Sequence, residues 1–212
     1  EYAYNGEVNA EYLFDKRLRV SSSVFYTYLT NALTTGEGTL GGNDSIIYDG
    51  VMSKVQTLTN QDFATVYGAQ ISVLLSITSK LSLKSAYTFL QSEAGSDGQP
   101  IRHITPNFGG TNLTFKGSKA TVILSSNYNQ EFAYNQFTVN EQQDAFLYAK
   151  DQDGLPYSPA WFIVNLRGSF PVTDNIQATV AIENILDKRY RPYSSGITAP
   201  GRNFIFSIKA KI

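Results

Sequence analysis

Ile176-Gln177-Ala178-Thr179-Val180-Ala181-Ile182-Glu183 and, after a loop, Phe204-Ile205-Phe206-Ser207-Ile208-Lys209-Ala210-Lys211-Ile212 decide the fold class. In the first segment Ile176, Ala178, Val180 and Ile182 share one face, and Gln177, Thr179 and Glu183 share the other. In the second, Phe204, Phe206, Ile208, Ala210 and Ile212 oppose Ser207, Lys209 and Lys211. A period of two specifies strands of a sheet with one apolar and one polar face. A strand that reaches the last residue with an apolar side chain differs from the frayed termini of soluble domains.

Working upstream, the same alternation predicts nine long strands. They cover about 2–14, 18–33, 64–77, 81–90, 107–116, 120–134, 160–172 and the two segments just quoted, with a further extended piece inside 46–59. The connections alternate in length. Short turns are read at Asp15-Lys16-Arg17, Thr78-Ser79-Lys80, Gly117-Ser118-Lys119 and Thr173-Asp174-Asn175. Long loops are read over 35–62, 94–106, 135–158 and 188–201. Short turns at one end and long loops at the other are the pattern of transmembrane barrels, as is a strand length of about 9–11 residues or more.

The aromatics sort by height. Tyr26, Tyr28, Tyr87, Phe89, Tyr128, Phe132 and Tyr134 fall at strand ends entering long loops, whereas Phe14, Phe115 and Phe170 flank short turns. Two aromatic girdles around an apolar band are expected. Bulk composition is compatible with this. The 212 residues are 42% hydrophobic, with 14 Tyr and 13 Phe against one Trp and one Met. Barrel strands are only half apolar, so such values do not oppose a membrane protein. No run is long enough for a transmembrane helix. There is no Cys, which removes disulfides and thiolate metal sites. A net charge of -1 provides no basic field for nucleic acid.

Glu183-Asn184-Ile185-Leu186-Asp187-x-x-Tyr190, Gly196 and Ala199-Pro200-Gly201-Arg202, with the closing strand, resemble the end of TonB-dependent outer-membrane receptors. Pro159-Ala160-Trp161-Phe162-x-x-Asn165-Leu166-Arg167 resembles the strand that precedes it. The resemblance is clearest over 159–212 and looser upstream. One departure is the terminal Ile212, where barrels of this kind usually end in an aromatic residue. The resemblance implies an antiparallel transmembrane β-barrel of 22 strands, of which residues 1–212 are the C-terminal portion of about nine. The plug domain and earlier strands are then absent. It also implies an outer-membrane receptor that imports a scarce nutrient, with ferric siderophore, haem or cobalamin ranked first. Implied partners are outer-membrane lipid, the protein's own plug and remaining strands, TonB through the missing plug, and a small-molecule ligand. An odd strand count agrees, since a free-standing bacterial barrel has an even number. No signal peptide is visible, and Glu1 opens directly into a strand pattern, as in a fragment.

No catalytic constellation is found, and no enzyme, cofactor or metal site is expected. His103 is the only histidine, which excludes His-based triads and multi-His metal sites. It reads as a solvated loop residue, with ligation of an iron centre such as haem as the alternative. Asp151-Gln152-Asp153-Gly154 matches part of a calcium loop without its later ligands, so a plain turn is expected. The ligand-binding candidates are Arg102, His103, Tyr148, Tyr193 and Arg202, in long loops on a rigid scaffold. Arg102 and Arg202 suit an anionic ligand such as a ferric chelate. Candidates for a polar lumen are Arg19, Lys84, Asn127, Asn165, Arg167 and Glu183, with Arg167 and Glu183 placed to pair. The bland alternative for these is the solvated face of an ordinary antiparallel sheet. Two other functional classes compete with this one. A soluble all-β carbohydrate-binding or adhesion module fits the strands but not the alternating loop lengths. An outer-membrane lipase or protease lacks a Ser-His-Asp grouping.

Overall fold

The computed structural model describes residues 1–95, 98, 100–138, 141–142 and 144–211. The expected apolar placement of Ile212, and Ser96, Asp97, Gln99, Val139, Asn140 and Gln143 of the expected loops, lie outside the described residues. The strands are β1 (Tyr2–Phe14), β2 (Leu18–Glu37), β3 (Ser45–Tyr48), β4 (Val51–Lys54), β5 (Gln56–Ser76), β6 (Leu81–Ala94), β7 (Phe108–Lys116), β8 (Thr121–Asn129), β9 (Ala149–Lys150), β10 (Pro156–Tyr157), β11 (Trp161–Thr173), β12 (Ile176–Glu183) and β13 (Asn203–Ala210). Nine of them form one antiparallel sheet, in the order β1-β2-β5-β6-β7-β8-β11-β12-β13. The pairs β3–β4 and β9–β10 are small hairpins carried by the long loops.

Successive strands of the sheet are neighbours, so every second connection lies at the same end. The short-turn end is built by local chemistry. Asp15 and Lys16 both take positive φ, and the Arg17 amide donates to the Phe14 carbonyl at 3.0 Å. That mirror-image turn suits the twist of antiparallel strands. The Thr78 hydroxyl oxygen accepts from the Lys80 and Leu81 amides. Pro171 sits beside a register shift between Pro171 and Thr173, a place where a missing backbone donor is tolerated.

Register then fixes the two faces. Val24, Ile71, Leu124, Phe162, Phe170, Val180, Phe206 and Ile208 stand exposed on the apolar face. Val122, Gly168, Val180 and Phe206 lie opposite one another at one level. On the polar face, Arg19, Leu74, Lys84, Asn112, Ser125 and Asn165 form one transverse row. The Leu166–Ile182 pair places Glu183 at the same level on β12. Arg19 lies 3.7 Å from Glu11 across β1–β2, an exposed contact of small energetic value. No ion pair joins Arg167 to Glu183 among the described residues, since Arg167 faces Ala181 and Glu183 faces Asn203.

Two expectations are corrected at the loop end. The sixth long strand stops at Asn129, not Tyr134, because Phe132 leaves the sheet to bridge Ser158 and is buried. Tyr134 opens a 3-10 turn, so neither residue belongs to a girdle. The extended piece expected within 46–59 is two short strands plus the start of β5. β2 and β5 stay paired from Ala32–Gln61 to Glu37–Gln56, although β1 ends opposite Thr30 and β6 opposite Ala64. They therefore project past the sheet as a two-stranded ribbon. Tyr26 and Tyr28, read as girdle residues, stack with Tyr67 at 6.3 Å and Phe63 at 5.9 Å. Tyr87 and Tyr128 stack at 6.4 Å across Gly109. A Cβ at Gly109 would sit 2.4 Å from the Tyr128 Oη, so the rings close only over a glycine.

Candidate functional site at the loop end

Three long loops, 95–107, 130–160 and 184–202, converge at one end of the sheet. Each is anchored locally. Asn184 is buried at a positive φ, donates from Nδ2 to the carbonyls of Lys188 and Pro200, and accepts the Lys188 amide on Oδ1. Its own amide donates to the Asn165 Oδ1 at 2.8 Å, which ties a polar-face residue to the loop base. The Asp187 carboxylate accepts the Arg202 amide at 2.8 Å, and the Arg202 Nε donates to the Ile185 carbonyl at 3.0 Å. Within 130–160, Asp151 Oδ1 accepts the amides of Asp153 and Leu155, so this segment is the expected tight turn.

The loops meet at Glu141, which is 1% exposed. Its Oε1 accepts the His103 amide at 3.4 Å and the Tyr193 hydroxyl at 2.5 Å. Its Oε2 accepts the amide and hydroxyl of Thr138 at 3.1 and 3.0 Å. A buried carboxylate persists only when donors replace its water, and here there are four. Next to it Arg102 pairs with Asp144 at 2.6 Å. Phe132, Phe137, Tyr148 and Tyr193 pack ring against ring around these polar groups, at centroid distances from 4.4 to 6.1 Å. Burial, then the Glu141 hydrogen bond and charge, raises the pKa of Tyr193 far above the ordinary phenol value. Burial is also the main cause of a raised pKa at Tyr148. Ser194 lies near that phenol, and the buried Tyr148 hydroxyl has no well-formed hydrogen bond among the described residues. The buried Arg102 Nε and Trp161 Nε1 are also unpartnered among the described residues.

Beside this cluster lies a cavity of about 280 Å³. Its walls include Leu147, Tyr148, Tyr157, Trp161, Lys188, Tyr190, Arg191 and Ser194. Trp161 packs on Tyr190 with centroids 4.6 Å apart, and the Arg191 Nη1 donates to the Leu147 carbonyl at 2.6 Å. An aromatic wall edged by cations and hydroxyls suits an anionic ligand with flat apolar parts. Among the described residues no group of His, Asp or Glu is arranged to hold a metal.

Of the residues read as ligand candidates, the fold brings Arg102, His103, Tyr148 and Tyr193 together. His103 contributes its backbone amide, and its side chain is at the exposed surface. Arg202 stands apart, engaged with Asp187 and Ile185. Lys84, Asn127 and Arg167 are exposed on the polar face. Sequence reasoning quoted Trp161 and Tyr190 only for the resemblance and not as site residues, did not name Arg191, and gave Glu141 no special role. The reciprocal Thr138-x-x-Glu141 hydrogen bonds have a capping-box spacing, which was an available signal.

The fold and loop arrangement are those of a membrane-receptor barrel wall. A family model for the TonB dependent receptor-like β-barrel matches residues 1–185, and the chain belongs to that family. No curated protein sequence gives a significant match. Solved structures agree in fold. The copper transporter OprC superposes with a TM-score of 0.74 at 15% identity, over 98% of this chain and 31% of that one. A mutant of the ferric enterobactin receptor PfeA from Pseudomonas aeruginosa gives 0.72 at 18% identity, with the same shares. The pyoverdine receptor FpvA from Pseudomonas aeruginosa, bound to pyoverdine, gives 0.65 at 18% identity, over 99% and 30%. The chain thus spans about 31% of the length of the first of these proteins.

Proposed function

We propose that these residues form the C-terminal wall of a 22-stranded outer-membrane barrel that takes up a ferric siderophore, haem or cobalamin in a TonB-dependent manner. The observation that carries this reading is a nine-strand meander with an exposed apolar face, short turns at one end and converging loops at the other, in a chain of the receptor-barrel family. Such an apolar face is too large to leave in water, and lipid is its natural cover. The polar face, with Arg19, Lys84, Asn127, Asn165, Arg167 and Glu183, then lines the lumen against a plug supplied by another part of the protein. That plug carries the contact with TonB. The cavity at Trp161, Tyr190 and Arg191 is the ligand site, with Arg102, Tyr148 and Tyr193 in its supporting wall. The work is gated binding and release, with no bond chemistry.

Uptake measurements test this. The gene containing these residues is deleted and restored in its own host under iron limitation. Uptake of labelled ferric siderophores, haem and cobalamin is followed with and without a protonophore. Loss of one ligand's uptake on deletion, its recovery on restoration and its collapse with the protonophore are expected. Unchanged uptake across the whole panel, or recovery of these residues in a soluble fraction, rejects the reading.

A further inference from the structure

We propose that Glu141 is a clasp that makes the three loops 95–107, 130–160 and 184–202 open and close as one unit, and that the cavity beside Trp161 opens with them. The loops share no sheet with one another at this level. Asn107 and Gln130 hydrogen-bond at the bases of the first two loops, but the one group among the described residues that bonds to all three is a sealed carboxylate, which reaches His103 on the first, Thr138 on the second and Tyr193 on the third. Arg102–Asp144 and Arg191–Leu147 add one cross-link each between the same loops. Removing the carboxylate leaves four donors, spread over the three loops, without an acceptor, so the loss is felt on all three segments at once.

The cavity is coupled to the clasp through shared residues. Tyr148 packs on Tyr193 and also walls the cavity, while Leu147 and Arg191 wall it from opposite loops. The hydroxyl of Tyr148 and the Nε1 of Trp161 are buried at this wall without well-formed hydrogen bonds among the described residues. Buried polar atoms left unpaired call for a reason. Here the closed arrangement hides donors that become available when the wall moves.

Amide hydrogen exchange of the whole receptor in detergent tests the clasp without ligand or transport, so its outcome is independent of the substrate proposed above. Glu141→Ala is expected to speed exchange about tenfold or more in all three loops and to leave the sheet strands unchanged. Tyr193→Phe, which keeps the ring, is expected to loosen 184–202 most. If Glu141→Ala fails to assemble, as judged by loss of the heat-modifiable band, Tyr193→Phe and Glu141→Gln carry the test. Acceleration confined to 130–160, or no acceleration, overturns the proposal. For the cavity, Ala149 is part of its lining, and Ala149→Cys in an otherwise cysteine-free receptor should react severalfold faster with a maleimide in the Glu141→Gln background. An unchanged rate overturns the coupling.

Discussion

The side-chain amide of Asn184 donates to the carbonyl of Pro200 at 3.2 Å, joining the two ends of the last loop. Together with its two bonds to Lys188 it closes the turn between β12 and β13, in a left-handed conformation that asparagine tolerates better than most residues. Asn184→Ala removes these bonds and adds backbone strain, a cost of about 2–4 kcal/mol. The expected result is a clear drop in the temperature at which the heat-modifiable form is lost. Asn184→Asp keeps the acceptor for the Lys188 amide and should fall between the two. A variant as stable as the parent would show that the loop is held elsewhere.

Gly109 and Gly168 make a matched pair for testing close packing. A Cβ at Gly109 meets the Tyr128 Oη at 2.4 Å and the Ala86 carbonyl at 2.6 Å, whereas one at Gly168 meets only Val180 at 3.8 Å. Gly109→Ala should cost about 1–3 kcal/mol by overpacking. Gly168→Ala should be neutral to within about 0.5 kcal/mol. Thermal scans of both variants read the difference directly.

Phe206 and Ser207 are adjacent but lie on opposite faces. If lipid covers the apolar face, Phe206→Lys costs about 2–4 kcal/mol near the bilayer midplane, while Ser207→Lys is far milder. The assembled fraction in the outer membrane, scored as heat-modifiable band, checks this. Equal losses from both substitutions would contradict lipid cover on the Phe206 side.

Tyr193 and Tyr148 predict an alkaline limit to loop closure. Both phenols have folded pKa values raised above the ordinary value, chiefly by burial. A raised folded pKa gives stability that is complete below the unfolded value, about 10, and is lost as pH climbs beyond it. Exchange in the three loops should therefore be flat up to about pH 10, after correction for intrinsic rate, and should rise above that. Tyr193→Phe should flatten much of the rise. A transition centred near neutral pH would point to a different group.

The sheet was largely legible because its information is local. Period two and turn residues located β1, β6, β7, β11 and β12 to within a few residues, since each strand declares its own faces. The β2–β5 ribbon was missed because Thr34-Thr35-Gly36-Glu37 shows no apolar alternation. Its strand character comes from pairing with Gln56–Asn60. Phe132 was misplaced for the same reason in reverse, since its period fits a strand but a better apolar environment awaits it beside Phe137 and Tyr193. The site was visible only as residue types. Arg102 meets Asp144, and Glu141 meets Tyr193, across 42 and 52 positions of chain. No local pattern records such meetings, and a buried carboxylate looks like any surface glutamate until its donors are in place.

The transverse row on the polar face has an electrical consequence. Arg19 and Lys84 stand on its β2–β6 side, and Glu183 stands at the same level on β12. Arg19 is partly offset by Glu11, which leaves Lys84 as the less compensated cation. One step off the row the order reverses, with Glu11 beside β2 on one flank and Arg167 beside β12 on the other. At the level of the row an anion is drawn toward Lys84 and away from Glu183, and one step along the wall it is drawn toward Arg167, so the sideways bias changes sign along its path.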